Sequence, residues 1–195
     1  GINGRFTTLT QPAGLAAGTQ FAAFYDMAGS RSIDLLVIPL SYRTALADGN
    51  ANARSAADAL DRLVELNLAG TAAPAQTTVL QAAATQGAAA LPSFARALAG
   101  EIHGASLAVV PQTTLRLQQA VLAQLGSATG VRSKAWGEMA YQRGDRSGDD
   151  TAGGFSSHLY QLAFGADTHT ADGRTLGTGF ALSTTRVSAR SGSGT

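Results

Sequence analysis

The sequence predicts a mixed α/β chain in three parts, with short β-strands over residues 1–48, helices over 49–128 and long antiparallel strands over 129–195. Three observations lead to this prediction. Short apolar runs lie between Gly- and Pro-containing turns in the first part, apolar residues recur at helical spacing in the second, and period-two alternation dominates the third. The third part has the longest regular pattern, so the other two are interpreted around it.

In the first part, short strands are predicted over residues 5–10, 20–25 and 32–38, where β-branched and aromatic residues are enriched. Three such strands suit a small sheet or the last turns of a β-solenoid. They are too few to make an independent core.

The break between the first two parts is Asp48–Asn52, where Asn50 and Asn52 are candidate helix N-caps. Alanine, leucine and valine then recur at helical spacing, and this helix should end near Asn67.

Further helices are predicted over 75–89, 92–103 and 105–125, divided by Gly87, Pro92, Gly104 and Pro111, of which the last should kink or restart its helix. The final helix, ending near Leu125, is slim and weakly charged. Such a helix would fit a narrow pore lined by glycine and alanine, or it would pack on a soluble sheet.

In the third part, alternation runs over 135–142, 157–167 and 175–185, with large apolar side chains on one face and glycine, alanine or polar ones on the other. A polar loop, Gly144–Gly154, joins the first two runs, and Asp172-Gly173 marks a short turn between the last two.

Two settings produce this alternation: a soluble antiparallel sheet on a core, or a transmembrane barrel with lipid outside and a polar lumen. The runs are eight to eleven residues long, close to the length of about nine to eleven that a tilted strand needs to cross a bilayer, whereas ordinary strands have about five or six. The many glycines on the small face predict a bulky neighbour there. Gln161 is a larger residue on that face.

The amino-acid composition limits the classes of function that the chain can have. Charged residues make up 14% of the 195, below the roughly 25% of ordinary soluble domains. The net charge of +1 gives no reason to expect nucleic-acid binding, and the absence of cysteine excludes disulfides and thiolate sites. No apolar stretch is long enough for a transmembrane helix. Because the chain starts without methionine and stops soon after the third run, we expect it to be part of a longer protein.

Five short motifs, in this order, resemble the C-terminal region of monomeric (type V) autotransporters. The sequence from Gly4 to Ile38 is similar to the end of an exported passenger, and Asn52-Ala-Arg-Ser-Ala-Ala-Asp-Ala-Leu-Asp61 and Leu98-Ala-Gly-Glu-Ile-His103 are similar to two helical motifs. The remaining two motifs resemble the first barrel strands: Ala135-Trp-Gly137, and Phe164-Gly-Ala-Asp167 with Asp172-Gly-Arg174 and Leu176-Gly177.

The resemblance implies passenger-end strands (1–48), a helical linker with a pore helix (49–128) and the first three antiparallel strands of an incomplete outer-membrane β-barrel (129–195). It implies a non-enzymatic translocator that anchors and helps export a passenger, with the passenger end at the cell surface of a bacterium. The implied partners are the chain's own passenger, outer-membrane lipid, the barrel-assembly machinery and periplasmic chaperones. Two alternatives are the anchor of an enzymatic passenger, a protease or esterase, and a soluble α/β interaction domain.

No catalytic, cofactor-binding or metal-ligating residue is predicted. His103, His158 and His169 share no ligand spacing. The acidic loop residues lack the ordered pattern of a calcium loop and are expected to be solvated: Asp145, Asp149 and Asp150.

Three further candidates are also set aside. Ser156 and Ser157 lack a nucleophile elbow, and Gly177-Thr-Gly179 opens no helix, so it is no phosphate loop. Glu101 and His103, both in the second helical motif, are expected to make polar packing or lumen contacts.

Overall fold

The computed structural model describes residues 5–6, 8–25, 32–125 and 132–190, so both chain ends lie outside it. Its helices and strands are, in chain order, β1 (Thr19–Tyr25), β2 (Ile33–Pro39), α1 (Tyr42–Ala45), α2 (Ala51–Ala69), α3 (Pro74–Ala84), α4 (Leu91–Leu98), α5 (Glu101–Leu125), β3 (Arg132–Arg146), β4 (Phe155–His169) and β5 (Thr175–Ala189). This is a mixed α/β architecture with two antiparallel sheets.

The chain divides into two compact units. The first contains residues 1–101 together with the short segment 149–152, and the second contains 102–148 and 153–195.

The first unit has an ordinary apolar core. Strands β1 and β2 pair antiparallel along their full length, from Thr19 opposite Pro39 to Tyr25 opposite Ile33. Its largest fully buried side chains come from both strands and from three helices, and they are Phe24, Ile38, Tyr42, Leu60 and Leu80. Of the three strands predicted in this part of the chain, those over 20–25 and 32–38 are confirmed as β1 and β2.

Helix α2 begins at a predicted asparagine cap and ends two residues beyond the predicted end. Of the two candidate caps, Asn50 is the one used, and its Oδ1 accepts a hydrogen bond from the backbone N–H of Ala53 at 2.8 Å. The helix runs beyond Asn67 to Ala69 and is capped by Gly70, whose φ of 73° is the left-handed conformation that glycine adopts most easily.

A carboxylate of α2 holds the start of the short helix α1, which the sequence did not predict. Both oxygens of Asp61 accept hydrogen bonds, from the N–H groups of Tyr42 and Arg43 and from the hydroxyl of Ser41, at 2.6–3.1 Å. A negative charge at a helix N-terminus is favourable. Asp61 therefore ties α1 to α2.

Several predicted boundaries are wrong. Among the described residues of 5–10 there is no strand. The next residue, Gln11, pairs with the backbone of Phe21 through its side chain and not through its own backbone. Helix α3 ends at Ala84, short of residue 89. The break between the last two helices falls at Gly100, with φ of 74°, because Gly104 is accommodated inside α5.

The second unit is a helix and a three-stranded meander. Strand β4 is central, and both its neighbours pair with it antiparallel over all fifteen residues. The predicted meander is confirmed, with longer strands than the alternation indicated because pairing continues into the polar hairpin ends. Pro111 lies within α5, which is continuous. In the part of the chain that the structure describes, no helix is both long and apolar enough to span a membrane.

Tyr42 provides a test of the first core. Its side chain is fully buried and its hydroxyl has no hydrogen-bond partner among the described residues. Burial, helped by the negative charge of Asp61, raises the pKa of Tyr42 to about 12.

Because the folded state holds this proton more tightly than the unfolded state, stability should be intact below about pH 10 and fall between about pH 10 and 12. Tyr42→Phe should remove most of that alkaline loss, roughly 1–2 kcal/mol, and change stability little at pH 7. Urea unfolding of both proteins at pH 7 and pH 11 measures this. An equal alkaline loss in the two proteins would contradict it.

Candidate functional site

The candidate site is the three-stranded sheet, whose two faces are opposite in character. Along β4, alternate residues are buried while the residues between them are exposed. The buried ones include Ala163, 2% exposed, and the polar Gln161, whereas the intervening Leu162 is 48% exposed. We call the first the small face and the second the apolar face. The small face of β3 is mostly half-buried and that of β5 is largely open.

Helix α5 covers the small face through polar contacts. Arg116 Nε donates to Gln142 Oε1 at 2.9 Å, and the amide of Gln161 donates to the backbone carbonyl of Thr113 at 3.4 Å. Lys134 Nζ reaches Gln124 at the last turn, with 3.1 Å to its side-chain oxygen. These bonds satisfy polar groups that burial would otherwise leave unpaired. On the same helix, Val109 and Ala120 are buried.

The indole of Trp136 supplies the bulky neighbour that the glycines predict. A Cβ atom added to Gly165 would lie 2.5 Å from this ring and from the carbonyl oxygen of Thr178. At Gly179 the ring is 3.3 Å away, and Val121 of α5 is 3.7 Å away. The ring and the helix together therefore occupy the space that side chains would fill.

The apolar face has no cover among the described residues. Its large side chains are Met139, Tyr141, Tyr160, Leu162, Phe164, Leu176, Phe180 and Leu182, all 46–86% exposed. They form cross-strand pairs, with ring centroids 4.9 Å apart for Tyr141–Tyr160 and 5.6 Å for Phe164–Phe180. A groove of ≈ 410 Å³ beside the second pair is lined by residues of all three strands, which are Ala135, Trp136, Phe164, Gly165, Ala166, Thr178, Gly179 and Phe180.

Both outer strands leave a backbone edge open. Within the described ranges, β3 and β5 each pair only with β4. Each therefore presents a fifteen-residue edge whose outward N–H and C=O groups have no strand beside them. A long, straight edge of this kind is a template for a further strand.

One polar cluster lies near the β4–β5 turn. Thr175 Oγ1 is 2.7 Å from His169 Nδ1, directly across the strand pair, and His169 Nε2 is 3.1 Å from Asp167 Oδ1. The second contact is close but its angle is not that of a hydrogen bond. The order hydroxyl, imidazole, carboxylate resembles an activated nucleophile. However, the imidazole and carboxylate are less than a tenth exposed, so we interpret the cluster as a contact that fixes the turn.

The other histidines and serines of interest are dispersed. His158 Nδ1 pairs with the hydroxyl of Tyr141 at 2.9 Å on the apolar face, and His103 is exposed on α5. Ser157 bonds the backbone of Gly144, Ser156 is half-buried, and Gly177–Gly179 lies within β5. Among the described residues no three His, Asp or Glu side chains are arranged to hold a metal ion.

The acidic loop is more ordered than predicted. Asp145 belongs to β3 and pairs with Arg143 at 2.9 Å, while Asp149 and Asp150 lie in a structured loop tip. Glu101 accepts a hydrogen bond from Asn50 at 2.9 Å, a polar packing contact as predicted. Sequence reasoning named Asp167 only within a barrel-strand motif and Asp149 and Asp150 only as solvated loop residues. It predicted neither the contact of Asp167 with His169 nor the turn that Asp149 shapes.

Comparison of the chain with protein-family models, with characterised proteins and with solved structures finds no match.

The glycine contacts yield a direct test. Gly165→Ala places a methyl group against Trp136 and a backbone carbonyl, so the ring must leave its position over the sheet. We expect a loss of about 1–3 kcal/mol, the size typical of overpacking, and a red-shifted, more quenchable emission from Trp136, which is the chain's single tryptophan.

Gly137→Ala is the matched control, because its nearest neighbour is a carbonyl oxygen 3.9 Å away. It should leave both the emission and the stability almost unchanged. Equal effects of the two substitutions would show that the ring does not fill the space over Gly165.

Proposed function

We propose that this chain is the junction region of a monomeric autotransporter, in which a β-barrel translocator anchors a passenger and helps to export it across the bacterial outer membrane. In this proposal the second unit supplies the first three barrel strands and the pore helix. The first unit contains the passenger end and the linker helices. The proposal combines the ordered motifs with the geometry of the sheet.

One observation carries the proposal: α5 covers the small face of the sheet and leaves the apolar face open. A sheet of a soluble protein packs its apolar face on the core and turns its polar face to water. The reverse order is that of a transmembrane barrel, with lipid against the apolar face and a polar lumen inside. Hydrocarbon is the environment that best suits eight large exposed apolar side chains.

The ends of the apolar face support the same proposal. At one end the hydroxyl-bearing rings of Tyr141 and Tyr160 adjoin His158, and aromatic side chains of this kind form girdles at membrane interfaces. At the other end a hydroxyl pair, Ser133 and Thr168, makes a contact of 3.0 Å. Between these two polar borders lie Met139, Leu162, Phe164, Phe180 and Leu182.

The open edges require further strands. In hydrocarbon, each unpaired backbone group costs several kcal/mol, so only a closed barrel is stable there. Bacterial barrels need at least about eight strands. We therefore expect additional strands of the same protein beside β3 and β5, assembled with the barrel-assembly machinery and periplasmic chaperones. The passenger, whether structural or enzymatic, would be exported through that barrel.

The test is a pair of neighbouring substitutions on opposite faces of β5, made in the full-length protein. Phe180→Arg places a charge on the apolar face, where near the bilayer midplane it costs about 2–4 kcal/mol. Ala181→Ser makes a small polar change on the small face. We expect Phe180→Arg to reduce passenger display at least several-fold and Ala181→Ser to leave it near normal.

Display is measured by surface labelling of the passenger, and assembly by recovery in the outer-membrane fraction. Normal assembly of Phe180→Arg together with failure of Ala181→Ser would reverse the face assignment. Recovery of the unmodified protein in the soluble fraction would instead support a soluble α/β interaction domain.

A further inference from the structure

The N-terminus of α2 has an unusual set of hydrogen-bond acceptors. The first four N–H groups of a helix lack partners within it. Here the Asn50 side chain accepts from the N–H of Ala53, while the Asn50 carbonyl accepts from Arg54 in the first regular bond of the helix. The acceptors for two more of these N–H groups come from about a hundred residues further along the chain, where the carbonyl oxygens of Asp150 and Thr151 accept from Ala51 at 2.6 Å and Asn52 at 3.2 Å.

The segment that provides these carbonyls is a preformed turn. The Oδ1 atom of Asp149 accepts from the N–H groups of Thr151 and Ala152, at 2.8 and 2.9 Å, and the Asp149 N–H donates to the Ala152 carbonyl at 2.9 Å. These three bonds are an Asx-type turn closed on itself. We call residues 149–152 the loop tip.

The loop tip groups with the first unit, although the strands on either side of it, β3 and β4, belong to the second. Its contact with α2 is made by backbone atoms, as in the pairing of strands, and so it depends on the shape of the turn rather than on particular side chains at the interface. The adjoining bond from Asn50 to Glu101 joins the same helix end to the start of α5.

We propose that the loop tip is a docking element for α2, completing the helix N-terminus once the β3–β4 hairpin has formed. The N–H groups of Ala51 and Asn52 then gain their partners only after that hairpin exists. Resting on the proposed function, this couples folding of the passenger end to formation of the first barrel hairpin. The coupling itself is a property of this chain and is measurable without an assay of export.

The experiment is amide hydrogen exchange, resolved by residue, on the full-length protein in detergent micelles. Asp149→Ala removes the acceptor that shapes the loop tip. We expect exchange at Ala51 and Asn52 to quicken roughly five- to tenfold, the effect that loss of a helix cap gives, while exchange in the middle of α2 stays unchanged.

Two variants make the result specific. Asp149→Asn keeps the Oδ1 acceptor and should retain protection, so rescue by asparagine separates lost turn geometry from general destabilisation. Asp172→Ala makes the same change in the β4–β5 turn, where Asp172 accepts from Thr170, and should leave Ala51 and Asn52 protected.

Unchanged protection of Ala51 and Asn52 in Asp149→Ala, with faster exchange at Thr151 and Ala152, would overturn the docking. So would equal loss of protection in the alanine and asparagine variants. Neither result bears on which face of the sheet contacts lipid, so failure of the docking and failure of the proposed function are distinguishable.

Discussion

The contact between α5 and the small face of the sheet is the interaction on which the second unit depends. Gln161 and Ala163 are buried in the central strand, and Arg116 and Gln142 join the helix to an outer strand. Because side chains alternate strictly along a strand, covering this face leaves the other one open. The position of one helix thus determines which side of all three strands remains available to the surroundings.

Magnitudes make this choice of face informative. A neutral hydrogen bond between protein groups contributes about 0.5–1.5 kcal/mol net, whereas burying one large apolar side chain contributes about 1.5–3 kcal/mol. In water, a helix would gain more by covering Leu162, Phe164 and Phe180 than by bonding to Gln142 and Gln161. The observed arrangement is favourable where the apolar face has an apolar environment of its own. This comparison is the physical reason for proposing a lipid-facing sheet.

The strands of the second unit, and the faces of β4 and β5, were predictable from sequence because period-two alternation is a local property that tertiary contacts reinforce. In β3, Gly137 was expected on the small face, but it lies opposite Phe164 on the apolar face. The helix boundaries were less predictable from sequence. Gly100 and Gly104 are the same residue type, so the sequence does not show which of them separates the two helices. Only Gly100 adopts the left-handed φ that ends a helix. The sequence did not predict that Trp136 would lie over Gly165, because that position depends on the register between two strands.

The loop tip was beyond sequence reasoning altogether. Its acidic residues indicate a solvated loop, and the atoms that bind α2 are backbone carbonyls, which every residue has. Docking through backbone atoms leaves no pattern of residue types. The same holds for the close pair Asp167 and His169, which shares a strand face without forming a known motif. Contacts of these two kinds appear only when the fold brings the segments together.

The central claim, that the apolar face contacts lipid and the small face does not, is best tested by cysteine labelling, since the chain has no native cysteine. Single cysteines at Leu162 and Ala163, neighbours on opposite faces of β4, would carry an environment-sensitive fluorophore in the full-length protein, assembled in membranes that contain brominated lipid. We expect strong quenching at position 162 and little at 163, with the reverse exposure to an aqueous quencher. Quenching by lipid at 163 but not 162, or access of the aqueous quencher to 162, would contradict the lipid-facing assignment.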